Sequence, residues 1–382
     1  MDEIFMQRAL QLAAKSRGKT SPNPMVGAVI VNNGQIVGEG WHQAAGTPHA
    51  EIHALCQAGH LAKNATLYVT LEPCCHYGRT GPCSDAIITA GIKKVIVAMT
   101  DPNPVVAGKG ISILRANAIE VVEGVLSHEA AKLNEVFIKW ITTKMPFGVL
   151  KTAMTLDGKI AAFTGHSKWI TGEQARDYGH RLRNIYDAIL VGIGTVLADD
   201  PALTTRIPGG KNPLRVVVDS MARIPLTAKL LNDNQAPVVI AVSPNASEEK
   251  LAALRSKHAD IVIVPCGPRG GIDLRGLFEI LGRRSITSIF IEGGSRINAS
   301  AISAGLIDKA YWFIAPKFIG GSNAPGPIGG TGLETMEKAL TLEDIELERV
   351  GEDILITAYL QGREGRHVYR TCGRTGNDKS NC

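Results

Sequence analysis

The sequence predicts an α/β protein built from two domains. Three observations carry this. Strand-like apolar runs alternate with helix-like stretches along almost the whole chain. The pattern restarts after Thr142-Thr143-Lys144-Met145-Pro146. A length of 382 residues exceeds what one hydrophobic core comfortably organises. The boundaries expected are 1–145, 146–361 and a disordered tail over 362–382, where Arg, Gly, Thr, Asn and Ser replace apolar residues.

In the first half, Ile4, Phe5, Ala9, Leu10, Leu12 and Ala13 recur at helical spacing. Ser21-Pro22-Asn23-Pro24 ends that helix. Gly27–Val31 and Ile36–Gly40 read as a hairpin around Asn32-Asn33-Gly34. A helix over His49–Ala58, a strand over Thr66–Leu71, a helix over Cys83–Ala90 and a strand over Lys94–Met99 complete a mixed sheet with helices on its faces. Asp101-Pro102-Asn103-Pro104 follows, read as the loop after the last strand, at the carboxyl end where such sheets bind ligands. Asn23, Asp101 and Asn103 are each either base contacts or plain turn residues. His42 and His53 have no evident partner and read as structural.

The second half opens with a strand from Pro146 to Lys151. Further strands follow at Asp187–Val191, Arg215–Ser220, Val238–Val242, Ile261–Val264 and Ser288–Glu292, with a helix over Ile297–Ala304. Alternation with helical stretches implies a largely parallel sheet. Two glycine turns follow strands. Gly192-Ile193-Gly194-Thr195 lacks the third glycine of the dinucleotide fingerprint, Leu197 standing at that spacing. Gly293-Gly294-Ser295 precedes a helix start and can offer N–H groups to a phosphate. Each is equally readable as a tight connection.

The chemistry concentrates at His49-Ala50-Glu51, Glu72-Pro73-Cys74-Cys75-His76 and Gly81-Pro82-Cys83. One imidazole and two thiolates suit Zn²⁺ and leave a tetrahedral ion one open position. Zinc brings the pKa of water there towards neutrality. Glu51, two residues beyond His49, is too close for a comfortable fourth ligand and well placed to move protons. His-x-Glu with Pro-Cys and a second Cys is the signature of zinc deaminases acting on nucleobases. Such enzymes usually carry Cys-x-x-Cys, whereas eight residues separate Cys74 from Cys83 here. Cys75 is a rival ligand, and a structural zinc knot completed by Cys75 or His76 is the alternative reading.

Composition narrows the partners. Hydrophobic content is 45%, charged content 20% and formal net charge +5, ordinary for a globular protein. Most of the basic excess lies after Gln361, where Arg363, Arg366, Arg370, Arg374 and Lys379 face only Glu364 and Asp378. Only 5% of residues are aromatic. A nucleic-acid-base deaminase with a C-terminal binding module, the main alternative function, needs a basic, aromatic-bearing face that this composition does not offer. A purely non-enzymatic interaction protein leaves two separate sites as coincidences. Neither nucleic acid nor membrane is expected as a partner. Cys56, Cys266, Cys372 and Cys382 show no pairing pattern, which implies a reducing compartment. The acidic start Met1-Asp2-Glu3 and the lack of an apolar run of about 18 residues argue against a signal peptide or membrane span. Cytoplasm is the expectation.

Across both halves the sequence resembles the bifunctional riboflavin-biosynthesis deaminase/reductase family. The resemblance rests on Pro22-Asn23-Pro24-x-Val26-Gly27, Pro48-His49-Ala50-Glu51, Thr70-Leu71-Glu72-Pro73-Cys74, Gly78-Arg79-Thr80-x-Pro82-Cys83 and Asp101-Pro102-Asn103-Pro104. It continues through Ser167–Thr171, Thr195–Pro201 and Ile314-Ala315-Pro316-Lys317, so that it covers about Met1 to Tyr359. The long Cys74–Cys83 insert is that family's own spacing. The resemblance implies a cytidine-deaminase-like α/β/α sandwich followed by a dihydrofolate-reductase-like α/β domain. It implies one zinc ion and NADPH as cofactors, a phosphorylated diaminopyrimidine as substrate, and a homo-oligomer, dimer or tetramer.

Carried over by position, Ala153, Trp169, Thr195, Asp199, Ser220, Gly294, Ser295 and Arg296 would meet the cofactor. Asn23, Arg79, Asp101, Asn103, Ser167, Arg183, Leu203, Arg206 and Glu292 would meet the substrate. Arg79, Arg183 and Arg206 are the candidate phosphate contacts. Position 75 departs from the serine common in the family, and Arg79 stands where some members have Lys. Lys151 and Glu292, each read at a strand end, are the catalytic candidates for hydride transfer if their strands are neighbours. Otherwise they form an ion pair that only shapes the pocket. Arg215 and Arg223 are the cations offered to a 2′-phosphate.

Overall fold

The computed structural model describes residues 1–77, 81–104, 106–267 and 270–361. Two units divide it between Lys144 and Met145. The tail expected to be disordered lies outside the described residues.

The first unit runs α1 (Asp2–Ala14), β1 (Gly27–Asn32), β2 (Gln35–Trp41), α2 (Ala50–Ala58), a 3₁₀ turn (Gly59–Ala62), β3 (Thr66–Val69), α3 (Cys83–Thr89), β4 (Lys94–Val97), α4 (Lys109–Ala116), β5 (Glu120–Glu123), α5 (Ser127–Leu133) and α6 (Glu135–Thr143). Its sheet has the order β2-β1-β3-β4-β5. The β1 strand pairs antiparallel with β2 and β3, while β3, β4 and β5 are parallel, the mixed sheet expected. Asn33 and Gly34 close the hairpin with φ of 51° and 78°, the left-handed pair that a two-residue hairpin turn needs.

Period-two alternation sorts the core into two layers. Ala28, Ile30, Leu67, Val69, Val95 and Val97 face α2, α3 and α4 through Ala54, Ile87 and Leu114. Val29, Val31, Tyr68 and Ile96 face α1, α5 and α6 through Met6, Leu10, Ala131 and Ile138. This is an α/β/α sandwich. The strand β4 is not the last one. Glu120-Val121-Val122-Glu123 adds an edge strand whose charged ends hide its signal in the sequence and suit an edge.

Glycines decide how close α2 lies to the sheet. A Cβ at Gly38 or Gly40 would come within 2.2 Å of the Ala54 or Ala50 carbonyl oxygen. That contact seats the start of α2, and hence His49 and Glu51, against β2. Gly40→Ala is therefore expected to destabilise this unit by about 1–3 kcal/mol, the usual range for overpacking. Urea unfolding followed by circular dichroism measures it, and an unchanged midpoint would contradict the packing argument.

The second unit runs β6 (Phe147–Thr155), α7 (Glu173–Ile185), β7 (Ala188–Gly192), α8 (Ile193–Asp199), β8 (Leu214–Val218), α9 (Lys229–Asn232), β9 (Val238–Val242), α10 (Glu248–Ser256), β10 (Asp260–Ile263), α11 (Leu274–Arg283), β11 (Ser288–Ile291), α12 (Ser295–Ser303), β12 (Lys309–Ala315), a 3₁₀ turn (Met336–Lys338), β13 (Leu342–Val350) and β14 (Asp353–Leu360). The sheet order is β10-β9-β8-β7-β11-β6-β12-β14-β13. From β10 to β12 it is parallel; β14 and β13 join antiparallel.

Three expectations change here. The opening strand does not stop at Lys151: Thr152–Thr155 go on pairing with Trp312–Ala315 of β12, so Lys151 is mid-strand. The stretch after Gly192 is not an open turn but the start of α8, and Asp199 ends that helix. Three strands beyond Glu292 extend the sheet. Among the described residues no helix is long and apolar enough to cross a membrane.

Candidate active sites

In the first unit, three elements converge on one point. His49 caps α2, Cys74 lies in the loop after β3, and Cys83 opens α3. His49 Nδ1 is 3.2 Å from Cys83 Sγ and 3.4 Å from Cys74 Sγ. All three donor atoms lie within 4.8 Å of one another. A tetrahedral zinc with its usual bond lengths sets nitrogen–sulfur edges of about 3.5 Å, so this donor set fits the ion in kind and in spacing. Neither Cys75 nor His76 joins the cluster.

The thiols share their protons unequally. Cys74 is held below its usual range by the Cys83 hydrogen bond and by His49, while the same bond and burial push Cys83 up. Glu51 sits on the first turn of α2, 3% exposed. Burial first, then the negative charge of Cys74, raises its carboxyl to about 7, where a group can both take and give a proton.

His42 belongs to this site although sequence reasoning left it without a partner. Its ring meets the His49 ring edge-on at 5.4 Å. Its Nδ1 lies 3.3 Å from the Pro48 carbonyl oxygen and its Nε2 3.4 Å from Asn23 Nδ2. Burial lowers its pKa. The Asn23–His42–His49 chain of contacts connects residues far apart in sequence, which no spacing pattern could reveal.

A buried carboxylate shapes the neighbouring wall. Glu72 accepts N–H groups from Asp101 (3.1 Å), Gly108 (2.9 Å) and Ile111 (3.2 Å). A Cβ on Gly110 would lie 2.1 Å from the Pro73 carbonyl oxygen, so glycine lets α4 approach the zinc-ligand loop. Asp101 in turn accepts the Asn103 N–H at 2.8 Å, and burial raises its carboxyl to about 6. Arg79 lies outside the described residues.

In the second unit, β6 and β11 are neighbours, Leu150 opposite Ile291. Lys151 Nζ is 3.3 Å from Glu292 Oε1. Arg183, on α7, places Nε and Nη2 each 2.7 Å from Glu292 Oε2, and its Nη1 donates to the Thr204 carbonyl at 3.0 Å. Arg183 is thus the partner of Glu292 and of the 203–206 loop rather than a cation standing free for a phosphate. Burial pushes the Glu292 carboxyl up, but Arg183 and Lys151 outweigh it and hold the pKa below its usual range. Leu203 and Arg206 both take left-handed φ, 57° and 54°. The loop between them is tied to α7 by Thr205 Oγ1 donating to the His180 carbonyl at 2.8 Å.

The cofactor candidates flank this network. Ala153 lies on β6, Thr195 and Asp199 on α8, and Ser220 just past β8. The strap bearing Ser167 and Trp169 is pinned by Lys317 Nζ donating to the Trp169 and Ile170 carbonyls, and by Lys168 beside Asp199 at 3.7 Å. The glycine turns divide their labour. A Cβ at Gly192 or Gly293 would meet Ile297 of α12 at 2.7 Å, so these two serve packing. Gly194 and Gly294 have nothing within 4 Å of a Cβ position. Gly294 leaves open backbone at the N-terminal turn of α12, where Ser295 and Arg296 lie, as a cradle for an anionic ligand requires. Arg215, by contrast, is 1% exposed and grips both Asp233 oxygens at 2.8 Å, so it cannot reach a cofactor phosphate.

Comparison with known proteins covers both units. Residues 1–99 match the family model of the cytidine and deoxycytidylate deaminase zinc-binding region, and residues 146–356 match that of the RibD C-terminal domain. The riboflavin biosynthesis protein RibD of Actinobacillus pleuropneumoniae is 45% identical over 356 residues, covering 93% of this chain and 94% of that protein. The Escherichia coli RibD is 42% identical over 368 residues, 93% and 98% of the two chains. The structure of Acinetobacter baumannii RibD, form 1, superposes with a TM-score of 0.85 at 40% identity, over 94% and 99% of the chains. A Thermotoga maritima structure described as a diaminohydroxyphosphoribosylaminopyrimidine deaminase/5-amino-6-(5-phosphoribosylamino)uracil reductase reaches 0.83 at 38% identity, over 94% and 98%. With 42–45% identity over 93% of its length and a family model matched in each unit, the chain belongs to the RibD family of riboflavin biosynthesis proteins.

Proposed function

We propose that the chain performs two successive steps on one small phosphorylated pyrimidine. The first unit hydrolyses the ring amine of 2,5-diamino-6-ribosylamino-4(3H)-pyrimidinone 5′-phosphate to give 5-amino-6-(5-phosphoribosylamino)uracil. The second reduces the ribosyl group of that product to ribityl with NADPH. The observation that carries this reading is the His49–Cys74–Cys83 cluster with buried Glu51 beside it, in one chain with the Lys151–Glu292–Arg183 network.

One zinc ion held by His49, Cys74 and Cys83 supplies the Lewis acidity that makes water nucleophilic near neutral pH. Glu51, buried beside the cluster, takes the proton of the attacking water and passes it to the departing ammonia. Asn23, Asp101 and Asn103 are the candidates to orient the pyrimidine and its sugar, with Arg79 for the phosphate. In the second unit NADPH supplies hydride. Ala153, Thr195, Asp199, Ser220 and the open backbone at Gly294 are its proposed seat, Ser167 and Arg206 that of the substrate. Lys151 is the group able to hold a proton beside the reduced carbon.

The test is to supply the diaminopyrimidine, follow ammonia release, and then follow oxidation of each nicotinamide cofactor. Ammonia release without NADPH and cofactor consumption only after deamination is the expected order. Cofactor consumption with no prior ammonia release would overturn the sequence of steps.

The proposed homo-oligomer is supported by β13, the outer strand of the large sheet. Its Ile345 and Leu347 are 54% and 68% exposed. Exposed apolar side chains on the last strand of a sheet offer a surface to a second copy, and a two-fold pairs that surface with itself. Leu347→Lys is expected to shift the chain towards monomer in sedimentation velocity. An unchanged distribution, or a wild-type monomer, would remove the assignment. A cytoplasmic setting is supported by the free cysteines Cys56, Cys74, Cys75, Cys83 and Cys266 among the described residues.

A further inference from the structure

Strand order gives the second unit a direction. From the Lys151–Glu292 network on β6 and β11, the sheet continues to β7, then β8, then β9. Neighbouring strands lie about 4.8 Å apart, so the end of β8 is about 10 Å beyond the end of β11. The open backbone at Gly294, before α12, follows β11. A dinucleotide with its reactive ring at Lys151 and its phosphates at the Gly294 backbone carries its adenosine end over β8. That placement rests on the reductase reading above.

What stands after β8 is a built turn, Ser220–Ile224. Asp219, fully buried, accepts the Ile224 N–H at 2.8 Å, and its carbonyl accepts the Ala222 N–H at 3.1 Å. Ala222 takes a left-handed φ of 51°. From the side of β9, Ser243 donates both its N–H (3.0 Å) and its hydroxyl (2.8 Å) to the Ser220 carbonyl. From this fixed turn Arg223 projects, 56% exposed, its Nε 3.7 Å from Asp219 Oδ1. The carboxylate steadies the Nε edge without a direct hydrogen bond and leaves the guanidinium largely to solvent. Arg215, the other cation on this part of the sheet, is locked inside by Asp233 and by the Ala202 and Ala236 carbonyls.

We propose that Arg223 reads the 2′-phosphate of the nicotinamide cofactor and is the residue that makes the second unit prefer NADPH to NADH. A phosphate monoester offers a dianion with several acceptor oxygens. A guanidinium on a rigid turn meets it with paired donors at less entropic cost than a free lysine.

The test uses the full-length protein and two probes, adenosine 2′,5′-bisphosphate and 5′-AMP, in isothermal titration calorimetry. The wild type binds the bisphosphate more tightly than AMP. Arg223→Ala weakens the bisphosphate by about tenfold to a hundredfold, the usual worth of a charge-assisted contact, and leaves AMP unchanged. Arg223→Lys recovers part of the loss. In the reductase assay, Arg223→Ala raises KM for NADPH while kcat and the KM for NADH hold. Equal weakening of both probes would mean that Arg223 only supports the turn, and the proposal fails. No change on Arg223→Ala, or loss of discrimination in Arg296→Ala instead, overturns it as well. A wild-type chain that binds neither probe and oxidises neither cofactor would defeat the reductase reading itself, and this proposal with it.

Discussion

Glu51→Gln is expected to lower the rate of deamination by about 10²–10⁴-fold, the range for loss of a general acid–base group, while the protein keeps one zinc per chain. Glutamine preserves the volume of a side chain that is 3% exposed, so the fold has no reason to change. What it loses is the proton. The three donor atoms clustered within 4.8 Å belong to His49, Cys74 and Cys83, and Glu51 is not among them. Metal analysis and ammonia release on the same preparation decide the matter. Loss of zinc would make Glu51 a ligand, and near-normal turnover would remove it from the chemistry. Reduction of the deaminated intermediate should be untouched, because Lys151, Glu292 and Arg183 all lie in the other unit.

The zinc cluster was legible in the sequence because its residues carry their chemistry in their identity. Histidine and cysteine at the starts of two predicted helices already say where they point, and the structure places them at His49 and Cys83. The mixed and parallel sheets were legible for a similar reason: buried strands such as Val238–Val242 are continuous apolar runs. Strands at an edge escape this logic. β5 has only Val121 and Val122 between glutamates, and β13 alternates Leu and Ile with Glu and Asp. Glycines were ambiguous for a deeper reason. Gly192 and Gly194 read alike along the chain, yet Ile297, more than a hundred residues away, makes one a packing glycine and leaves the other open. Arg215 and Arg223 were equally eligible phosphate contacts until burial separated them. Sequence shows which residues can do a job, and only the fold shows which are already occupied.

Lys151→Ala and Glu292→Gln are expected to fail in different ways, and the difference identifies the proton donor of the reduction. Burial favours a protonated Glu292, but Arg183 and Lys151 reverse this and keep its pKa depressed. At neutral pH the carboxylate is therefore ionised and has no proton to give. The ammonium of Lys151, 3.3 Å away, has three. Lys151→Ala should cut reductase kcat by about 10²–10⁴-fold, with NADPH affinity nearly unchanged. Glu292→Gln instead strands two cations in a pocket where the side chains of Lys151 and Arg183 are only 19% and 17% exposed. Its main cost falls on stability, about 3–5 kcal/mol as for other broken buried pairs. The sign of the pH dependence follows from the depressed pKa. The stabilisation by Glu292 is present at neutral pH, above the ordinary carboxylate range, and is lost as pH falls through the folded-state pKa. The gap in unfolding free energy between wild type and Glu292→Gln should accordingly narrow in acid. Should Lys151→Ala retain near-normal kcat, the network serves only to position substrate and cofactor, and the proton comes from elsewhere.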